Sequence, residues 1–246
     1  MTVDFLVLLI AFFLIALVYA SVGFGGGSSY LALLAVMGVG YETLRPTALL
    51  CNIVVVTGGT LLFYREGKLD LKKAVPFVVA SVPLAFLGGY WKISEAVFFL
   101  LLGVSLIVAS AFLWFQPKET APSGVNRPLV NAGLGGTLGF VSGMVGIGGG
   151  IFLAPLLHLL RWDVAARISA LASFFILVNS VSGLVGQWAR LGALQFEFIL
   201  PLLLAVLAGG QLGARLGARK FNALYIKRIT AALILLAGIN ILRDHL

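Results

Sequence analysis

One seven-residue stretch occurs twice in this chain, and both copies lie inside strongly apolar sequence. Val22-Gly23-Phe24-Gly25-Gly26-Gly27-Ser28 returns 123 positions later as Val145-Gly146-Ile147-Gly148-Gly149-Gly150-Ile151, with five of seven residues identical. Clustered glycines are poor helix material, each costing about 1 kcal/mol relative to alanine. Placing that cost twice at equivalent points implies a use for non-helical backbone at membrane depth. Such backbone survives in a bilayer only where protein shields it or where it lines a watery cavity.

The membrane setting follows from composition. Charged residues make up 11% of the 246 residues and mean hydropathy is +1.09, against about 25% charged in soluble domains. The apolar runs are long and numerous enough for several helical spans, so the fold class expected is an all-α polytopic membrane protein. The net charge of +8 fits loops facing the cytoplasm and its anionic lipids better than a nucleic-acid surface. Cys51 is the single cysteine, which excludes an intrachain disulfide, and His158 and His245 stand too far apart in sequence for metal-ligand spacing. No cofactor is expected. The apolar run over 5–20 has no basic stretch before it and matches a segment of the second half, so it reads as mature structure rather than a signal peptide.

The stretch 116–128, with Pro117, Pro122, Gly124 and Pro128, is the best linker signal. It divides the chain into a first repeat over 1–116, an inter-repeat loop over 117–127 and a second repeat over 128–246. Other matches support a duplication: Arg45-Pro46-Thr47-Ala48-Leu49 with Arg167-Ile168-Ser169-Ala170-Leu171, and Gly88-Gly89 with Gly209-Gly210. Each repeat reads as a short helix pair hinged at its glycines plus three transmembrane helices, with Tyr41 to Pro46 and the basic run Arg215 to Asn222 at the surface. If each hinged pair returns to the side it came from, three spans remain per half and the repeats are inverted. Loops 65–73, 116–128, 161–167 and 215–228 then share one side and hold 13 of the 17 basic residues, which satisfies the positive-inside rule. A parallel arrangement would split 65–73 from 161–167 and weaken that bias.

The nine acidic residues all fall at span ends or in loops, so a buried carboxylate relay for cations or protons is absent. The centre offers neutral donors instead. Helices starting after Gly27 and Gly150 would point free N–H groups and the positive dipole end inward, which suits an anion. Ser28 and Ser29 stand at the first cap, whereas the second copy has Ile151 and Phe152. Gly23, Gly25, Gly26, Gly27, Gly146, Gly148, Gly149 and Gly150 are therefore candidate binding positions together with Ser28 and Ser29. In the spans that follow, Thr47 shares a helix face with Cys51, and Ser169 with Ser173. Asn52 and Asn179 are amides among apolar neighbours and need partners. Close helix packing is the competing use of such small residues and the better reading for single serines and threonines. It does not explain contiguous glycines, because packing motifs space small residues four apart. Arg45 and Arg167 could draw anions toward the entrances, and Trp91, Trp114, Trp162 and Trp188 read as interfacial anchors.

The paired turns, the Thr47-Ala48-Leu49 and Ser169-Ala170-Leu171 match, and the polar breaks at Asn52 and Asn179 resemble the sulfite exporter TauE/SafE family of membrane transporters. The resemblance extends over essentially the whole chain. It implies transport of a small sulfur-containing anion, such as sulfite or a sulfonate, across the bacterial inner membrane. The expectation is a secondary transporter rather than an enzyme, working by alternating access with a small anion and the lipid bilayer as its partners. Rival readings are a passive anion channel and a membrane sulfur-relay component using Cys51.

Overall fold

A computed structural model describes residues 3–115, 127–188, 192, 194–220 and 223–245. Among the described residues every regular element is a helix. They are α1 (Val3–Ser21), α2 (Gly27–Val36), α3 (Tyr41–Arg65), α4 (Leu71–Tyr90), α5 (Glu95–Trp114), α6 (Pro128–Val145), α7 (Gly150–Leu159), α8 (Ala165–Gly186), α9 (Phe196–Lys220) and α10 (Ala223–His245).

 Helix α7 thus covers Gly150–Leu159, as short as α2 at 10 residues. Local signals set several boundaries. Asp70 caps α4 by accepting from Lys73 N (3.2 Å), Ser94 caps α5 by accepting from Val97 N (3.3 Å), and Pro128 opens α6.

Six of these helices, α3, α4, α5, α6, α8 and the 196–216 part of α9, are long and apolar enough to cross a membrane. Their outward faces remain apolar: Val75, Val79, Phe86 and Leu87 of α4 are exposed, a surface suited to lipid rather than water. Inside, glycine lets backbones touch. Gly135, Gly139 and Gly143 of α6 lie on the Phe77, Ser81 and Ala85 carbonyls of α4, and Gly209 and Gly213 of α9 lie on the Phe13 and Leu17 carbonyls of α1. This is close packing through small residues spaced four apart. Helix α10 runs antiparallel to α5, with Gly238 beside the Gly103 carbonyl (3.0 Å from an added β-carbon) and Ser110 Oγ donating to Ala231 O (2.8 Å).

The connections gather at two ends. At one, Lys73 Nζ bonds Asp163 Oδ2 at 2.7 Å and joins the first turn of α4 to the α7–α8 loop. At the other, Tyr41 Oη donates to Ile93 O (2.9 Å), and His245 stacks on Phe99. Helices α3 and α8 pass each other antiparallel in the middle. Thr60, late in α3, meets Ser173, early in α8 (3.0 Å between hydroxyls), while Leu49, early in α3, meets Gly183, late in α8 (3.6 Å to an added β-carbon).

Several sequence expectations change. The hinged pairs are unequal: α1 has 19 residues and α6 has 18, so only the second arm of each pair is short. Tyr41 to Pro46 does not surface as a loop. It is the first turn and a half of α3, with Leu44, Arg45 and Pro46 buried, because Arg45 finds carbonyl partners inside. The run from Arg215 continues α9 as far as Lys220. The Gly88-Gly89 match to Gly209-Gly210 is displaced by a turn: Gly88 packs on Phe140, whereas Gly213 packs on Leu17, the residue 123 positions before Phe140. The linker over 116–126 lies outside the described residues.

Candidate functional site at the meeting of the two glycine turns

Each turn is built by left-handed backbone that only glycine adopts cheaply. Gly23 and Gly26 have φ of 83° and 87°, and Gly146, Gly148 and Gly149 have φ of 87°, 84° and 81°. Helix α1 ends at Ser21, and Gly23 just beyond it lies against Phe63 and Ser169 at the Lys73 end. The chain then doubles back, so that Gly25 and Gly27 rest on Asn52, midway along α3. Helix α6 ends at Gly146, against Arg45 at the Tyr41 end, and doubles back to place Gly148 on the same Asn52. Helices α2 and α7 start here and return toward the ends from which α1 and α6 came.

Asn52 is the hub. It is fully buried, and its Nδ2 donates to Ile147 O at 2.9 Å, so a side chain from α3 grips the second turn while its Oδ1 faces Gly25 of the first. A β-carbon on Gly27 would meet Asn52 Nδ2 and stand 2.9 Å from Ile147 O. Between the turns is a cavity of about 10 Å³, lined by Tyr19, Phe24, Gly25, Gly26, Gly27, Ser28 and by Ile147, Ile151 and Ile176. That is room for about one water. No charged side chain lines it.

Four buried side-chain atoms on or against the two turns have no hydrogen-bond partner: Ser28 Oγ, which lines the cavity, and Tyr30 Oη, Asn52 Oδ1 and Ser180 Oγ, which lie against Gly26, Gly25 and Gly148. Tyr30 Oη lies beneath Gly26 and Ser180 Oγ beside Gly148, each 2.9 Å from where a β-carbon would sit. An orphaned buried polar atom normally costs about 1–3 kcal/mol, so four at one place call for an explanation in function. The N-caps of α2 and α7 are Gly26 and Gly149, and neither helix start is capped by a side chain. The first N–H groups of both helices therefore add donor capacity to the same region.

The predicted residues sort into groups. Gly25, Gly26, Gly27, Ser28, Asn52 and Gly148 come together at the cavity, and Gly150 packs beside it on Ile176. Gly23 with Ser169, and Gly146 with Arg45, mark the outer limbs of the turns, while Gly149 packs on Phe175 and Ser142. Ser28 and Ser29 are not caps, because left-handed Gly26 starts the helix before them. Ser29 Oγ instead shares a 2.6 Å hydrogen bond with Tyr19 Oη. Ser173 is spent on Thr60 and on Val56 O (3.4 Å), which ties α8 to α3. Asn179 Nδ2 turns back to Phe175 O of its own helix (2.8 Å). Thr47 and Cys51 are wholly buried in α3 outside the lining. Sequence reasoning missed Tyr19, whose signal was a lone hydroxyl in the apolar run before Gly23. It also missed Ile147, Ile151 and Ile176, which carried no signal among so many apolar residues.

Charges sit at the periphery. Asp163 has a side chain only 7% exposed, bonded to Lys73 and 3.5 Å from Arg167. Burial pushes its carboxyl pKa upward. The Lys73 hydrogen bond, the Val164 N–H (2.8 Å) and the charges of Lys73 and Arg167 outweigh that and hold it below the usual carboxylate range. Arg45 is buried, with Nη2 donating to Gly143 O (3.0 Å) and Gly88 O (3.3 Å). It is not placed at an open entrance.

Membrane-length helices around two broken ones, with a small neutral polar site where the breaks meet, define a multi-pass protein of the transporter class. The family model described as "Sulfite exporter TauE/SafE" matches residues 8–241, and the chain belongs to that family. It is 36% identical over 243 residues to the probable membrane transporter protein y4hK of Sinorhizobium fredii, an alignment that covers 96% of this chain and 97% of that one. It is 23% identical over 273 residues to the probable membrane transporter protein YunE of Bacillus subtilis, covering 98% of each. The probable membrane transporter protein MamO of Paramagnetospirillum magneticum is 27% identical over 82% of this chain and 38% of its own length. No solved structure matches. The protein is thus a membrane transporter of the bacterial inner membrane.

Proposed function

We propose that the protein is a secondary transporter of a small, sulfur-containing anion, sulfite or a sulfonate, working by alternating access between two inverted repeats. The observation that carries this reading is the group of three orphaned hydroxyls, Ser28 Oγ, Tyr30 Oη and Ser180 Oγ, beside the junction of two uncapped helix starts. Hydroxyl and backbone donors gathered at one junction suit an oxyanion. The absence of charge in the lining suits a solute that must also leave.

The antiparallel course of α3 and α8, and the opposite directions from which the two turns reach Asn52, support inversion. The Lys73–Asp163 pair holds the loops 65–73 and 161–167 at one end, and the positive-inside rule makes that end cytoplasmic. The cavity has room for about one water, too little for an oxyanion. The turns must part before a substrate enters, which favours a carrier over an open pore. Counterflow in proteoliposomes tests this: labelled sulfite or a short alkyl sulfonate should accumulate transiently against unlabelled solute inside. Equal uptake without countersolute would mean a pore, and no uptake of either anion would overturn the proposal.

A further inference from the structure

A groove opens on the outer face of the molecule, between α5, α6 and α7. It encloses about 270 Å³ and is walled by Val104, Ser105, Val108 and Phe112 of α5, by Phe152 and Leu156 of α7, and by α6. Ser105 is its one polar side chain, and Val104 and Val108 are exposed along it. The space is left because α7 begins only at mid-depth and is 10 residues long, while α5 faces it with short side chains.

The groove has the length of one leaflet. Helix α5 starts beside Ile93 at the Tyr41 end, so its last residue, Trp114, lies at the Lys73 end. From Phe112, near that end, to Val104 the helix rises about 12 Å. Half of the hydrocarbon core of a bilayer is about 15 Å. An α-helix with its side chains is about 10–12 Å across and cannot enter a space of this volume.

The mouth at the Lys73 end is positively charged. Arg228 of α10 lies over the Trp114 ring, 6.0 Å from its centroid, and both residues are exposed. Arg127 is exposed where α6 begins, and Leu129 beside it is 90% exposed. The three helices that wall the groove hold one acidic residue, Glu95, at the opposite end of α5.

We propose that this groove is a binding site for an anionic phospholipid of the cytoplasmic leaflet, with one acyl chain lying along α5 and the phosphate held by Arg127 and Arg228. Bilayer tails are the medium that this face already meets, so apolar transfer alone gives no affinity. Affinity comes from close packing along a slot of leaflet length and from fixed positive charge at its mouth. The bound chain packs on Phe152 and Leu156, and so braces from outside the helix whose start forms half of the glycine junction. The inference uses the membrane orientation given above and needs neither the anion nor alternating access.

Native mass spectrometry of the purified full-length protein, titrated in detergent with dioleoyl phosphatidylglycerol or dioleoyl phosphatidylcholine, tests this. Wild type should hold one phosphatidylglycerol about tenfold more tightly than phosphatidylcholine, the scale of two arginines near an anionic headgroup. Arg127→Gln combined with Arg228→Gln should erase most of that preference. Ser105→Leu combined with Val108→Phe fills the slot and should weaken both lipids about tenfold, the loss of about ten close carbon contacts. If that pair fails to assemble, Val108→Phe alone, at a position already exposed to the bilayer, should give part of the same loss. Added phosphatidylglycerol should also raise the thermal midpoint of wild type more than that of the filled variant. Equal retention by wild type and the filled variant would place the lipid elsewhere and overturn the inference. So would a wild type that does not distinguish the two headgroups, or a dimer that the filled variant breaks, since the occupant would then be a second copy.

Discussion

The two glycine turns share a backbone and differ in what surrounds it. The first carries Ser28 and Ser29 with Tyr19 at hand, and the hydroxyls of Ser29 and Tyr19 are bonded at 2.6 Å. The second carries Ile151 and Phe152, and its side of the cavity is closed by Ile147, Ile151 and Ile176. Duplication has therefore kept the element hardest to replace, left-handed glycine at Gly23 and Gly146 and again at Gly26 and Gly149, while chemistry was placed mainly on one half. The second turn contributes shape, a carbonyl for Asn52 and an uncapped helix start. The first contributes hydroxyls. A site built this way has a polar wall and an apolar wall, although its two backbones are near copies.

The largest expected effect breaks the comparison at its tightest point. In Gly27→Ala the new methyl meets Asn52 and the Ile147 carbonyl, backbone that cannot yield, whereas in Gly150→Ala it meets chiefly the flexible end of Ile176. Counterflow should fall at least tenfold for Gly27→Ala and less than threefold for Gly150→Ala. Equal losses would show that both turns are packed alike. Next comes the pair of buried amides. Asn52→Leu removes the bond that joins α3 to the second turn, at about 1–3 kcal/mol, and should lower the thermal midpoint in detergent and abolish counterflow. Asn179→Leu removes only a bond within α8 and should cost less on both measures.

The smallest effect concerns the periphery. Because the Asp163 carboxyl is held below its ordinary range, its contribution to stability is complete above the unfolded carboxylate pKa, about 3.9, and is lost as pH falls through the lowered folded value. Wild type and Asp163→Asn should differ in thermal midpoint by a constant small amount from pH 8 to about pH 5 and converge only in stronger acid. A difference that vanished near neutrality would contradict this assignment.

The glycine repeats made the broken helices legible before any coordinate, since no continuous helix tolerates that cluster, and hydropathy gave the spans around them. Asn52 was legible as an amide that needed a partner, though not as the residue both turns would share. Asn179 gave the same signal and settled it locally, by bonding its own helix. Ser173 looked like a site residue and is helix glue. Arg45 looked like a surface charge because the residues around it are polar, but α4 and α6 approach closely enough through glycine to present carbonyls to it. The isoleucines of the lining could not be singled out, because in an apolar chain every position carries their signal.

What the sequence determined by itself was where the chain cannot be helical, how many apolar helices flank those breaks, and which end collects positive charge. These are local properties, fixed by the conformational cost of glycine and the transfer energies of side chains. Tertiary structure alone decided which hydroxyls are left without partners beside the turns, which asparagine bridges the turns, and that Arg45 lies inside. Those depend on the register between helices distant in the chain, which local sequence does not carry.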